Sequence, residues 1–433
     1  MSQATLNYRW LVLTGLTYSL VLLGLATLRR EFLALAFPFA LYWLAGLVLR
    51  PDAPRIQASR RLSIGRAVQG TPVTVRLALV NPGEQPALIE VEDQVPTGAE
   101  VVEGLPRQVM TLAPGAGAEL IYGVRPRHGV YPFDAVRVTA REPLGLSARA
   151  VTLSAPAELT VLPLAVRLPR LPVRPRHTGV YAGLIPTRQG GSGLAFFGVR
   201  EYQPGDALRR INWRASARHA DATALFSNDF QQERSTEIGL ILDARQRSLA
   251  VTGADEFFEH AVTAVASLAQ GFLHDGNRVG LLLYGRPLAD WTFPGYGQGQ
   301  RERLWQALTR AQIARQHLFD RLEYLPTRFF MPDSQIVFVS PLLKEDLRIL
   351  VRLRARGYAV LVISPDPVAF EMRQLASWGS AVPQAARIAR LERRLLLAEL
   401  QQAGVPVLDW DVATGFDEAA RSFVRRMGAR WER

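Results

Sequence analysis

From Thr236 to the C-terminus, short apolar runs rich in β-branched residues alternate with longer stretches of helical periodicity. The apolar runs predict buried strands at 238–242, 279–284, 335–340, 358–364 and 405–410. The stretches between them predict helices at 255–274, 301–312, 344–356, 387–402 and 416–430. Alternation of this length predicts a doubly wound α/β domain with a parallel sheet over residues 236–433.

Ligands of such sheets bind beyond the carboxyl ends of the strands, where Asp243 and Ser340 lie in this chain. Two arginines, Arg245 and Arg247, follow Asp243 closely. A guanidinium only donates hydrogen bonds and stays charged, so it does not ligate a cation. We therefore interpret Asp243 as a helix N-cap or as an ion-pair partner of Arg245 or Arg247, and we expect no metal. These four residues are the candidate strand-end site.

An all-β domain and a linker are predicted before the α/β domain. Residues 71–163 alternate apolar and polar residues in short runs separated by turn signals such as Asn81-Pro82-Gly83, which predicts an all-β sandwich over 53–163. Its polar residues are interpreted as a solvated sheet face. Residues 164–195 are rich in Pro, Arg and Gly and are interpreted as a linker.

At the N-terminus, two apolar runs at 10–28 and 32–49 are separated by Arg29-Arg30-Glu31. Their lengths predict a hairpin of two transmembrane helices within 1–52. More arginines flank the hairpin than lie in its loop, so we expect a two-pass inner-membrane protein with cytoplasmic domains. The net charge of +12 then favours the lipid bilayer and an acidic partner protein, and no specific nucleic acid is expected.

The segment 196–235 combines turn-forming residues, a tryptophan and several arginines within a short stretch, and it is the most distinctive part of the chain. Pro204-Gly205-Asp206 predicts a turn, and residues 207–217 lack Pro and Gly and predict a short helix that Asp206 caps. The candidate residues of this signature segment are Arg200, Tyr202, Pro204, Gly205, Asp206, Arg209, Arg210, Trp213, Arg214 and Arg218.

This string, together with Glu142-Pro143-Leu144-Gly145-Leu146, resembles the bacterial family known as domain of unknown function 58. Asn212 departs from it, because the family often has an acid there. The resemblance implies a membrane anchor, a von Willebrand factor type A-like domain and work beside a MoxR-type AAA+ ATPase. In that type of domain the first strand ends in Asp-x-Ser-x-Ser, and here Arg245 and Arg247 replace both serines, which implies a degenerate metal site.

The signature arginines are candidates for catalysis, for a partner surface or for a structural role, and the structural role is favoured. In a structural role, we expect Asp206 to pair with Arg209 or Arg210 and Trp213 to be buried. The six histidines show no metal spacing, the chain has no cysteine, and no catalytic motif or cofactor fingerprint occurs. We therefore predict no enzyme but a membrane-tethered interaction scaffold that works with the MoxR-type ATPase in a chaperone-like or envelope-assembly role. The alternative is an enzyme or ligand receptor that uses the crevice near Asp243 and the signature segment.

Overall fold

The protein is described by a computed structural model. The residues it describes are 3–6, 8–48, 53–84, 86–141, 147–171, 185–218, 225–234, 236–249, 251–286, 291–314, 321–325, 329–331, 334–375 and 381–429. The motif at 142–146 lies outside them, as does part of the predicted linker. The chain divides into two compact units, 1–162 and 163–433, and each is described by itself below.

The first unit begins with two long helices, α1 (Tyr8–Thr27) and α2 (Arg30–Val48). Within the described part of the chain, no helix combines the length and the apolarity that crossing a bilayer requires. Arg9 lies in the first turn of α1, and Arg30 and Glu31 open α2, so the apolar part of each helix is shorter than the about 20 residues that span a bilayer core. The prediction of a two-pass inner-membrane protein is therefore wrong. The predicted fold class, which began with two transmembrane helices, is wrong as well, because the chain is mixed α/β with several sheets.

The rest of the first unit is β-structure. Its strands are β1 (Gln3–Leu6), β2 (Gln57–Leu62), β3 (Arg66–Val68), β4 (Val73–Val80), β5 (Ala87–Asp93), β6 (Ala99–Glu103), β7 (Arg107–Leu112), β8 (Gly117–Pro126), β9 (Gly129–Arg141) and β10 (Ser147–Leu162). One sheet has the order β2-β4-β8-β6, and the other has the order β1-β10-β9-β5-β7 with β3 beside β10. Alternate residues of both sheets share one apolar core, which includes Val75, Leu77, Tyr122 and Phe133.

Buried hydrogen bonds from Arg60 and Tyr122 to Asp93 connect these two sheets. Arg60 on β2 donates from Nε to Asp93 Oδ2 at 3.2 Å, and Asp93 ends β5 in the other sheet. Tyr122 on β8 donates to the same oxygen at 2.7 Å, and burial followed by the charge of Asp93 raises the pKa of Tyr122. These polar side chains are therefore not part of a solvated face, and their paired hydrogen bonds offset the cost of burying them.

The second unit is built on one large sheet and a separate strand pair. Its strands are β11 (Ile185–Glu201), β12 (Phe226–Arg234), β13 (Glu237–Asp243), β14 (Arg278–Tyr284), β15 (Trp291–Gly295), β16 (Gln335–Val339), β17 (Ala359–Pro365) and β18 (Val407–Trp410). Its helices are α3 (Trp213–Ser216), α4 (Ala254–His274), α5 (Gly297–Thr309), α6 (Asp346–Ala355), α7 (Pro367–Gln374), α8 (Ala381–Gln402) and α9 (Phe416–Ala429). The pair β11–β12 is antiparallel, and β11 starts inside the range interpreted as linker.

The large sheet has the order β15-β14-β13-β16-β17-β18, and all its strands are parallel except the edge strand β15. Both faces are covered. Ile241 packs in a core cluster with Leu350 of α6 and Leu400 of α8, and α4 contacts the central strands with its own apolar stripe. Because parallel strands end at one edge, Asp243 and Ser340 are brought to the same edge of the sheet.

The close packing of β13 gives a test of this arrangement. A Cβ added at Gly239 would lie 2.0 Å from the ring of the buried Phe330. We expect Gly239→Ala to lower the free energy of unfolding by about 1–3 kcal/mol, because the core must shift to admit a methyl group. Gly271→Ala on α4 is the control, since a Cβ there meets nothing within 4 Å. Chemical denaturation measures both, and equal stability of the two variants would contradict the packing of Phe330 against β13.

Candidate functional site

The strand-end site lies where β13 and β16 finish and α6 begins. Asp243 is the last residue of β13, Ser340 follows β16 directly, and Asp346 is the first residue of α6. The chain turns after β13 so that Arg245 comes back over this edge, and its backbone N–H donates to Asp243 Oδ1 at 3.0 Å. Four side chains from three segments therefore converge on one point.

Arg245 is held between two carboxylates, and its side chain has no solvent exposure. On one side its Nε donates to Asp243 Oδ1 at 2.9 Å and its Nη2 to Asp243 Oδ2 at 2.8 Å. On the other side Nη1 donates to Asp346 Oδ1 at 2.9 Å and Nη2 to Asp346 Oδ2 at 2.7 Å. Two edges of the planar guanidinium are thus engaged, each by one carboxylate, which is the bidentate geometry that makes arginine–carboxylate pairs strong.

The remaining polar atoms of the site are also paired. Ser340 Oγ donates to Asp243 Oδ2 at 2.6 Å and accepts from the backbone N–H of Leu342 at 3.0 Å. Asp346 Oδ2 accepts from the backbone N–H of Leu343 at 2.9 Å. Satisfied hydrogen bonds of this kind are what makes the burial of three charged groups tolerable.

The electrostatics follow from this geometry. Burial opposes the charge on Arg245, but the neighbouring carboxylates outweigh it, so the pKa of Arg245 is raised. Burial raises the pKa of Asp346, and the hydrogen bonds and charge of Arg245 oppose that rise only in part. The guanidinium thus occupies the position between the two carboxylates that a cation would need, and the residues present do not fit a divalent metal.

Arg247 faces outwards instead. Its Nη1 contacts Glu345 Oε1 at 2.8 Å, and both side chains are about half exposed. Of the two partners that the sequence offered for Asp243, the structure places Arg245 beside it and gives Arg247 a different one.

Sequence reasoning missed a second buried arginine at the same edge. Arg393 on α8 donates to Pro341 O and to Ser364 O at 3.0 Å each, and its Nη2 contacts Asp409 Oδ1 at 2.6 Å. Its Nε lies 3.5 Å from Asp366 Oδ1. Arg393 therefore joins the ends of β16, β17 and β18. The helical periodicity of 387–402 places Arg393 on the buried face of α8, and this pattern could have identified it as a buried residue.

Asp346 was missed for a different reason. It follows Lys344-Glu345 in the sequence, where it reads as one more acid at the start of a solvated helix. Nothing local distinguishes it from Glu345, which is exposed and pairs with Arg247. Only the return of the chain over the sheet edge brings Asp346 to Arg245.

In the signature segment, Asp206 organises a tight turn. It accepts from Arg200 Nη2 at 2.7 Å and from the Gln203 backbone N–H at 3.0 Å, and these two bonds lower the pKa of Asp206. Tyr202 Oη donates to the backbone oxygen of Asp206 at 3.3 Å. Gly205 has a φ of 109°, which a residue with a Cβ rarely adopts, so the glycine of Pro-Gly-Asp is required by the turn.

The pairing expected for Asp206 differs from the one observed. Its ion pair is with Arg200 rather than Arg209 or Arg210, and it does not cap the helix. Asn212 caps α3 instead, because its Oδ1 accepts from the Ala215 backbone N–H at 2.9 Å. The residue that departs from the family pattern therefore has a local structural role.

The expectation that Trp213 is buried is wrong. Trp213 is 67% exposed, and Leu208, five residues earlier, is 73% exposed. Arg209, Arg214 and Arg218 are exposed as well, whereas Arg210 is half-buried. We call Leu208, Arg209, Trp213, Arg214 and Arg218 the signature surface, which presents a large aromatic side chain among cationic ones.

Comparisons with known proteins bear on this part of the chain. The family described as protein of unknown function DUF58 matches residues 198–373, a range that holds the signature surface and the strand-end site. The uncharacterized protein YeaD of Bacillus subtilis (strain 168) is 29% identical over 272 residues, which are 59% of this chain and 62% of YeaD. The chain thus spans less than two thirds of that relative's length.

Solved structures resemble the chain only weakly. A FixG-related protein from Vibrio parahaemolyticus has a TM-score of 0.18 at 9% identity and covers 25% of this chain and 98% of its own. The cupredoxin domain of amoB from Nitrosocaldus yellowstonii has a TM-score of 0.18 at 11% identity and covers 26% and 89%. Scores this low carry no argument, and the similarity that stands is that of residues 198–373 to the DUF58 family.

The two arginines of the strand-end site should differ sharply in their effect on stability. We expect Arg245→Ala to lower the free energy of unfolding by about 3–5 kcal/mol, because it leaves buried carboxylates without a counter-charge. Arg247→Ala removes an exposed pair and should cost about 1 kcal/mol or less. Denaturant unfolding of both variants measures the difference, and a stable Arg245→Ala variant would mean that the site is not closed.

A second test asks whether the guanidinium of Arg245 occupies the place of a divalent metal ion. Arg245→Ser leaves Asp243, Asp346 and two hydroxyls facing one another, which are the hard oxygen ligands that Mg²⁺ prefers. We expect this variant to be destabilised and Mg²⁺ to raise its melting temperature, since a ligand that binds only the folded state stabilises it. Arg245→Met is the control without the new hydroxyl. The interpretation fails if Mg²⁺ stabilises the parent protein equally.

Proposed function

We propose that the chain is a protein-interaction scaffold that works with a MoxR-type AAA+ ATPase in a chaperone-like or envelope-assembly role, and that its sheet domain is of the von Willebrand factor type A-like kind. The signature surface carries this proposal. An exposed tryptophan beside exposed arginines is the composition of a protein-binding surface, where Trp and Arg supply most of the binding energy. The net charge of +12 favours an acidic face on the partner.

The hydrogen bonds of the strand-end site also support an interaction scaffold rather than an enzyme. Both carboxylates, the guanidinium and the Ser340 hydroxyl are engaged with one another or with the backbone. A general base or a nucleophile needs a group that can reach a substrate. The enzyme or receptor that would use the crevice near Asp243 is therefore the less favoured function, and the expected partner contact lies on the outer surface.

Binding of the full chain to a purified MoxR-type ATPase from the same bacterium tests the proposal, in the presence and absence of ATP. We expect Trp213→Ala to weaken binding by about 2 kcal/mol or more while leaving stability within about 0.5 kcal/mol, because the side chain is exposed. Arg214→Glu should weaken binding and reduce its salt dependence.

Tyr296→Ala is the matched control, since Tyr296 is another exposed aromatic residue of the same unit. Binding by the Trp213 variant equal to that of the parent would remove the signature surface from the interface. No association of the parent chain under either condition would refute the ATPase partnership itself.

A further inference from the structure

Helix α8 has two differently used faces. Ala386, Arg393, Leu397 and Leu400 are buried against the unit, and α8 contacts α6, α7 and β18. The opposite face carries Ile388, Leu391 and Leu395, which are 60%, 48% and 64% exposed. Single exposed apolar residues are ordinary on a protein surface, but three in one row on one helix are a contiguous patch.

The spacing of this patch is that of a coiled-coil seam. Ile388, Leu391, Leu395 and Ala398 follow one another at intervals of three, four and three residues, which are successive a, d, a and d positions of a heptad. Ile388 at a with Leu391 at d is the combination that favours two strands in parallel coiled coils, and the next heptad has Leu395 at a and Ala398 at d. The buried residues Ala386, Arg393 and Leu400 then fall at the f position, on the side away from the seam.

The charges beside the seam are sorted by sign. Arg387 and Arg394 occupy the g positions, and Glu392 and Glu399 occupy the e positions. None of the four has an oppositely charged residue three or four positions away, so they are not placed for ion pairs within the helix.

In a parallel pair of helices, a g residue faces the e residue five positions further on in the partner helix. Arg387 precedes Glu392 by five residues, and Arg394 precedes Glu399 by five. An antiparallel pair would instead set arginine beside arginine and glutamate beside glutamate, and like charges destabilise such contacts.

We propose that α8 pairs in parallel with α8 of a second copy of this chain, about a two-fold axis along the helices. Ile388, Leu391 and Leu395 of the two copies form the seam, and Arg387 and Arg394 of each copy bind Glu392 and Glu399 of the other. The seam from Ile388 to Ala398 covers about 15 Å of helix, so the dimer is weak, with a dissociation constant on the order of micromolar. This interface is separate from the signature surface and does not depend on the proposed ATPase partner.

Sedimentation equilibrium of the full chain, whose monomer mass is 48.0 kDa, measures the association. We expect Arg387→Glu with Arg394→Glu to weaken the dimer about tenfold or more, because four acids then line each side of the seam. Glu392→Arg with Glu399→Arg should weaken it similarly, and an equimolar mixture of the two variants should associate again as a heterodimer. All four positions are exposed, so the variants should fold, which circular dichroism checks.

The natural chain has no cysteine, so a single introduced one reports orientation directly. Ala398→Cys at a d position should give a disulfide-linked dimer on mild oxidation, whereas Arg390→Cys, which is exposed and away from the seam, should not. A parent chain that stays monomeric at about 100 µM overturns the proposal. So does a dimer that charge reversal leaves unchanged, or a disulfide that forms only between Ala398→Cys and Ile388→Cys chains, since these d and a positions face each other only when the helices are antiparallel.

Discussion

The guanidinium of Arg245, fully buried between Asp243 and Asp346, joins the end of β13 to the start of α6 and, through Ser340, to the end of β16. Burying three charged groups is costly unless every donor and acceptor finds a partner. Here two bidentate contacts and two backbone N–H groups supply those partners. The arrangement therefore holds three segments in one geometry, and loss of Arg245 would leave two buried carboxylates without a counter-charge.

Arg393 is a second buried arginine along the same sheet edge. Its contacts with Pro341, Ser364 and Asp409 join the ends of β16, β17 and β18. Of these three strands, the cluster around Arg245 includes only the end of β16, through Ser340. Open parallel sheets usually bind ligands at this edge, because strand ends leave polar backbone groups and helix termini free. In this protein Arg245 and Arg393 bind polar groups at this edge, so the edge contributes to stability.

Two such surfaces differ in chemistry. The signature surface sets Trp213 among arginines and has a single sign of charge, which favours a different, acidic protein. The outer face of α8 carries both signs in an order that complements itself, which favours a second copy of the same chain. A scaffold that pairs through one face and binds a partner through another would present two partner sites per assembly, and this raises the avidity for a multivalent partner.

The sequence by itself determined the local elements, because hydrophobic periodicity reflects burial within one strand or helix. Runs at 238–242 and 279–284 lie inside β13 and β14, and the stretch 255–274 coincides with α4 within a residue. The chemistry of Arg245 alone also excludes it as a metal ligand, because a guanidinium only donates hydrogen bonds. The apolar runs before residue 50 predicted helices correctly, but membrane crossing depends on the full apolar length, and that inference was wrong.

Only the tertiary structure decided which charges meet. Asp346 lies about a hundred residues from Arg245 in the chain, and Glu345 beside it is chemically similar, so no local pattern selects one over the other. The burial predicted for Trp213 was wrong, because a short helix of one turn has no periodicity from which a buried face can be inferred. Long-range ion pairs and the burial of isolated residues depend on how distant segments pack, and that information is spread over the whole chain rather than held in any one motif.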